Sequence, residues 1–135
     1  PYTTLFRSRL SNESMQDSIA DNNQTIIAVG VPIHFYFKIN TANLVDKTQL
    51  SNLKEIANIA KEQNLIVHIS AAADSYTGKA AYNKKLAAKR GNYIAKKLKE
   101  YGVSMDNMRG ANLGGISTYA PAEANRTTII LLTTH

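Results

Sequence analysis

Two stretches of helical period, each set between short segments rich in β-branched and aromatic residues, constrain this chain more than any other feature. In the first, Leu50, Leu53, Ile56, Ala57 and Ala60 recur at helical spacing, and Asp46 followed by Gln49 forms a capping-box pattern. The spacing predicts an amphipathic helix over 47–63. A second helix is predicted over 79–101, with Gly102 as a natural C-terminal stop. Ahead of them, residues 25–39 are β-branched and aromatic but interrupted by Gly30 and Pro32. Proline is poorly tolerated in a central strand, so this segment reads as two strand pieces or as one edge strand with a break. Residues 40–43 form a loop, 65–69 a short buried strand, 70–78 a loop, 107–113 a weak strand, 114–124 a loop, and 127–133 a strong closing strand. The order is therefore β, α, β, α, β, β. Strand–helix–strand units need crossovers, so the sheet must hold parallel pairs, while the final strands make it mixed. The fold class is α+β: a compact two-layer βαβαββ domain, with a mixed parallel/antiparallel sheet and two main helices on one face. Residues 1–24 are polar and read as a linker or lead-in holding one short helix around 13–20; the domain proper is expected over 25–135.

Composition narrows the function classes. At 135 residues the chain fits one core, and 44% hydrophobic against 19% charged residues argues against general disorder. The absence of cysteine excludes disulfide frameworks, cysteine-based zinc sites and thiol nucleophiles. The apolar runs at 25–31 and 129–132 are far too short to span a bilayer. The first residue is Pro1 rather than Met, so the chain reads as a fragment or processed form, and any membrane attachment is expected through a segment outside it. A net charge of +6 favours acidic partners: nucleic acid, anionic lipid or an anionic cell-wall polymer.

The second helix carries the informative anomaly. Counting about 100° per residue from Tyr82, the apolar stripe formed by Tyr82, Leu86, Tyr93, Ile94, Leu98 and Tyr101 centres near about 80°, which is where Arg90 falls. Lys84, Lys85, Lys89, Lys96 and Lys99 point elsewhere and form a solvated basic face. An unpaired buried guanidinium is costly, so Arg90 either pairs with an internal carboxylate or lines a pocket for an anionic ligand. Asp74 is the natural second member. It lies between a predicted strand and the Arg90 helix, among the small residues Ser70, Ala71, Ala72 and Ala73. A carboxylate and a guanidinium facing one cavity suit a zwitterion, the first taking an ammonium and the second a carboxylate in a bidentate fork. The bland alternative is that Asp74 only begins an Asx-turn.

Other chemistries find less support. His34, His68 and His135 are the only histidines; the first two sit in strand patterns that suit hydrogen-bonded structural roles. No nucleophile elbow, no His-Glu-x-x-His and no phosphate loop is present, so neither an enzyme, nor a metal site, nor a cofactor is expected. The lysine-rich helix lacks the aromatic and glycine signatures of nucleic-acid modules, and no nucleic-acid partner is expected.

From Ile33 to Leu132 the chain resembles the OmpA-like (OmpA C-terminal) peptidoglycan-binding domain family. The aromatic strand Phe35-Tyr36-Phe37 and the loop Ala42-Asn43-Leu44 match its opening pattern. The family's G-x-[ST]-D turn stands here as Ala71-Ala72-Ala73-Asp74, keeping the aspartate and losing the glycine and hydroxyl. Gly78, Asn83, Leu86 and Arg90 match the family's Gly, Asn and L-S-x-x-R-A; Ala87 and Gly91 replace its Ser and final Ala. Gly102-Val103, Gly114, Pro121 and Asn125-Arg126 match the remainder, and Thr127 replaces a second Arg. The resemblance implies a non-catalytic domain on the periplasmic side of the outer membrane. In this reading it anchors an outer-membrane protein or complex to the cell wall. It further implies that Asp74 and Arg90 bind the diaminopimelate-type residue of the peptidoglycan stem peptide, with Asn83 as a supporting contact and Arg126 near the site. The losses at Ala71, Ala73, Ala87 and Thr127 motivate an alternative: an OmpA-like scaffold whose ligand site has decayed and which engages other envelope proteins instead.

Overall fold

The computed structural model describes residues 5, 6 and 25–135. The helix expected at 13–20 lies outside the described residues. Within them the elements run β1 (Ala28–Tyr36), α1 (Gln49–Gln63), β2 (Ile66–Asp74), α2 (Ala80–Glu100), β3 (Met108–Ile116) and β4 (Thr127–Thr133), with short 3-10 turns at Met105–Asn107 and Ala122–Asn125. The four strands form one sheet in the order β1-β4-β2-β3. β4 is antiparallel to both β1 and β2, whereas β2 and β3 are parallel. The α+β βαβαββ order and the mixed sheet thus match the expectation.

One apolar cluster joins the layers. Leu53, Ile56, Ala57 and Ala60 of α1 and Ala87, Ile94, Ala95 and Leu98 of α2 meet Phe35, Val67, Ile69, Ala71, Met108, Ile130 and Leu132 of the sheet. Burying that much apolar side chain is the main driving force for the arrangement. β1 takes the exposed edge, and its pairing with β4 slips between Val29 and Ile33, around Gly30 and Pro32. Proline and a left-handed glycine are accommodated where one side of the strand has no ladder to complete.

Three local expectations are corrected. The alanine run expected as a loop over 70–78 belongs to β2, which continues to Asp74. β2 is central, with β3 and β4 on its two sides. Ladder pairing and close packing of small side chains override alanine's weak preference for strands there. β3 likewise runs past residue 113 to Ile116, across a bulge. Asn112 pairs with Ala71 and Gly114 with Ala72, so Leu113 is the extra residue, and Gly114 takes φ +65°. The capping box does not form. Asp46 accepts from the backbone and hydroxyl of Thr48, and the Gln49 amide reaches the His34 carbonyl instead. α2 ends as expected, with Gly102 at φ +99° donating to the Lys99 carbonyl.

The bulge yields a test. A Cβ at Gly114 would meet nothing within 4 Å, so only backbone conformation opposes substitution there. Gly114→Ala should cost about 1–2 kcal/mol in urea denaturation, and Gly114→Val distinctly more, because a left-handed φ penalises β-branched side chains most.

Candidate functional site

The carboxyl end of β2, the start of α2 and the segment entering β4 converge on Asp74. Its carboxylate is engaged from two directions, with the single Thr77 hydroxyl proton within reach of both oxygens. Oδ1 accepts from the Thr77 backbone N–H and hydroxyl, both at 2.9 Å. Oδ2 accepts from Arg126 Nε at 2.8 Å and from the Thr77 hydroxyl at 3.0 Å. The turn that seemed a bland alternative is present, and it coexists with an ion pair. Burial pushes the Asp74 pKa up, but the hydrogen bonds from Arg126 and Thr77, with the Arg126 charge, outweigh it and hold the group below its ordinary 3.8.

Arg90 does not pair with an internal carboxylate, the first of the two routes expected for it. Its guanidinium donates to three backbone carbonyls: Nε to Thr41 at 2.8 Å, Nη1 to Ala72 at 3.0 Å and Nη2 to Lys38 at 3.1 Å. The group also lies over the Phe37 ring, 5.4 Å from its centroid. Backbone carbonyl oxygens, not an internal carboxylate, are the protein partners of the buried cation. Burial draws its pKa down to about 10, the Asp74 charge opposing this and the Arg126 charge adding to it, so Arg90 remains cationic at neutral pH. Three of the five guanidinium N–H donors are engaged, and two have no acceptor among the described residues. The buried face of α2 is rotated away from Tyr82 relative to the stripe its periodicity suggested. Tyr82 is exposed, and the small residues Ala87, Gly91 and Ala95 provide the close-packed face.

Asn83 is buried and donates to the Asp74 and Thr77 carbonyls at 3.3 and 2.9 Å. It shapes the Asp74–Gly78 turn from beneath. A Cβ on Gly78, which has φ +74°, would lie 2.9 Å from its Oδ1. Arg126 is presented by a loop braced by Asn125, which is fully buried. The Asn125 amide bonds the Tyr119 N–H, the Tyr119 carbonyl and the Ala122 carbonyl. Beyond Nε, the Arg126 side chain makes no hydrogen bond to the described residues, leaving both Nη groups available. Asp74 is 2% and Arg90 1% exposed, whereas the Arg126 side chain is 18% exposed, so Arg126 is the accessible member. Asp74, Asn83, Arg90 and Arg126 are thus brought to one place. Thr77 was missed by sequence reasoning; a hydroxyl three residues after a turn-forming aspartate was the available signal.

The histidines are held elsewhere. His34 Nδ1 meets the Thr127 hydroxyl at 3.2 Å and His68 Nε2 the Thr133 hydroxyl at 2.8 Å. Among the described residues no group of His, Asp and Glu is placed to hold a metal ion, and no helix is long and apolar enough to cross a membrane.

The pKa direction at Asp74 gives a pH test. Because the folded-state pKa lies below the unfolded value, the carboxylate's stabilisation is complete above about pH 4–5. It is lost as pH falls through the lowered folded-state pKa. At pH 7 the wild-type chain should exceed Asp74→Asn in stability, and denaturation series at falling pH should show the gap closing below about pH 4.

Comparison with known proteins agrees with this architecture. The model of the OmpA family matches residues 36–128. Outer membrane protein 40 of Porphyromonas gingivalis is 40% identical over 84 residues, which cover 62% of this chain but only 22% of that protein. Among solved structures, the peptidoglycan-associated lipoprotein of Burkholderia pseudomallei aligns with TM-score 0.64 at 22% identity, covering 73% of this chain and 88% of that one. The OmpA-like domain of FopA1 from Francisella tularensis aligns at 0.67 and 15% identity, covering 82% and 80%. The periplasmic domain of Helicobacter pylori MotB (residues 78–256) aligns at 0.61 and 16%, covering 82% and 83%. At these identities the structural likenesses speak for the fold.

Proposed function

The chain belongs to the OmpA family, and on that premise we propose that it is a non-catalytic module that binds peptidoglycan and holds an outer-membrane protein or complex to the cell wall from the periplasmic side. The ligand group is the zwitterionic end of a diaminopimelate-type stem peptide. One observation carries this reading: a single buried carboxylate, Asp74, shares its site with two guanidinium groups, Arg90 and Arg126, which leaves an excess of positive charge. A ligand bearing an ammonium and a carboxylate answers both signs. The ammonium replaces the Thr77 hydroxyl donor on Asp74. The carboxylate takes the unused N–H groups of Arg90 and the Nη groups of Arg126. Approach to Arg90 runs through the 38–44 loop, whose Lys38 and Thr41 carbonyls now cover the guanidinium. Asn83 and Asn125 act as positioning residues that hold the Asp74 turn and the Arg126 loop. The likeness to a peptidoglycan-associated lipoprotein supports the same ligand class. The exposed lysines of α2 add a diffuse attraction to an acidic polymer.

Sedimentation with purified sacculi tests the reading. The intact chain should co-sediment, and Asp74→Asn and Arg126→Ala should each reduce retention about tenfold or more, the loss of one charged hydrogen-bond partner. These two variants are preferable to Arg90→Ala, which would strip three backbone carbonyls of their donor and perturb the fold. Full retention by both variants would remove the site assignment. A folded wild-type chain that never co-sediments would favour the protein-interaction alternative.

A further inference from the structure

Two residues of the polar lead-in belong to the core. Phe6 is fully buried within the main apolar cluster, and Leu5 packs against that cluster. The seat is shaped for them by α2 and β3. A Cβ at Gly91 of α2 would lie 2.6, 2.7 and 2.9 Å from three carbons of the Phe6 ring. A Cβ at Gly110 of β3 would lie 2.5 Å from Leu5 Cγ, 2.7 Å from the Leu5 carbonyl oxygen and 2.9 Å from the Phe6 ring. Neither glycine has a positive φ, so backbone conformation does not require them. Glycine is a poor choice inside a helix or strand on its own account; what these positions need is the missing side chain. A polar clasp completes the seat. Asn112 is buried and donates to the Phe6 carbonyl at 3.0 Å and to the Lys84 carbonyl at 2.8 Å, while its Oδ1 accepts from the Gly114 N–H at 2.9 Å.

We propose that the groove between α2 and β3 is a docking seat for the chain's own N-terminal segment. Phe6 of the same molecule is the anchor, and residues 5 and 6 latch the lead-in onto the domain. The observed occupancy, the two glycines and the Asn112 clasp all select a Leu-Phe pair whose backbone carbonyl faces Asn112. Leu5 and Phe6 thus join the core of the domain although they precede the boundary expected at residue 25. The seat also backs onto the candidate site, since Gly91 follows Arg90 and Asn112 holds the Gly114 bulge. A pull applied upstream of Leu5 reaches α2 and β3 before it reaches β1.

A double-mutant cycle on the full chain tests the latch, with wild type, Phe6→Ala, Gly91→Ala and the double variant followed by thermal melting. Phe6→Ala should lower Tm by about 10 °C, as expected for a buried aromatic truncated in a domain of this size. Gly91→Ala should lower Tm when Phe6 is present. Without Phe6 it should be neutral or raise Tm, because alanine is then the better helix residue. An equal effect of Gly91→Ala in both backgrounds would overturn the seat. If Phe6→Ala does not yield folded protein, Phe6→Leu runs the same cycle with the same criterion. Tm should also stay constant over a roughly hundredfold range of protein concentration. A Tm that rises with concentration, together with dimers that Phe6→Ala abolishes, would assign the anchor to a second copy and overturn the intramolecular latch.

Discussion

A buried guanidinium bonded to backbone holds the parts of this molecule in register. Arg90 joins α2 to β2 through the Ala72 carbonyl, and to the segment after β1 through the Lys38 and Thr41 carbonyls. One side chain thereby ties together elements about fifty residues apart in the chain. The arrangement is demanding, because a buried cation needs each of its bonds, and each carbonyl it caps would otherwise be an unsatisfied acceptor. Asp74 sits almost fully covered as an anion because Arg126 closes on it directly and Thr77 donates to both of its oxygens.

The same geometry relates fold to chemistry. Asp74 is the last residue of a central strand, Arg90 lies within the helix that follows, and Arg126 immediately precedes the strand paired with β2. Strand ends brought together by sheet pairing make a rigid platform. The short turn at Thr77 and the 38–44 loop border this platform. Two asparagines set the platform's edges: Asn83 beneath the turn and Asn125 within the loop that delivers Arg126. A scaffold of this kind holds one carboxylate and two guanidinium groups together, the feature on which the proposed recognition of a zwitterion rests.

Much of the fold was legible because its signals are local. Helical periodicity, the Gly102 stop and the β-branched closing segment each identify an element within a few residues. Of the two readings left open by Gly30 and Pro32, the edge strand is the one found, its interruption being a slip in pairing with β4. The misread segments are those in which neighbours decide. Ala71, Ala72 and Ala73 have no strong preference of their own and become strand only because ladders flank them on both sides. The site divides the same way. Arg90 announced itself as a charge on a buried stripe, yet its acceptors are backbone carbonyls, which no side-chain pattern records. The change from the family pattern's alanine to Gly91 had no explanation in the sequence alone. Its reason is the ring of Phe6, a contact across more than eighty residues.

The central claim, that Asp74, Arg90 and Arg126 form one zwitterion-binding site, is tested most directly by titrating the ¹⁵N-labelled full chain with free diaminopimelate and following backbone amides and arginine Nε–H resonances by NMR. The account predicts saturable shifts concentrated at Thr77, at Arg126 Nε–H, at Arg90 Nε–H and along the 38–44 loop, with the Asn112 region little changed. Saturable shifts mapping to another face of the domain, or no shifts at all from a folded chain, would contradict it.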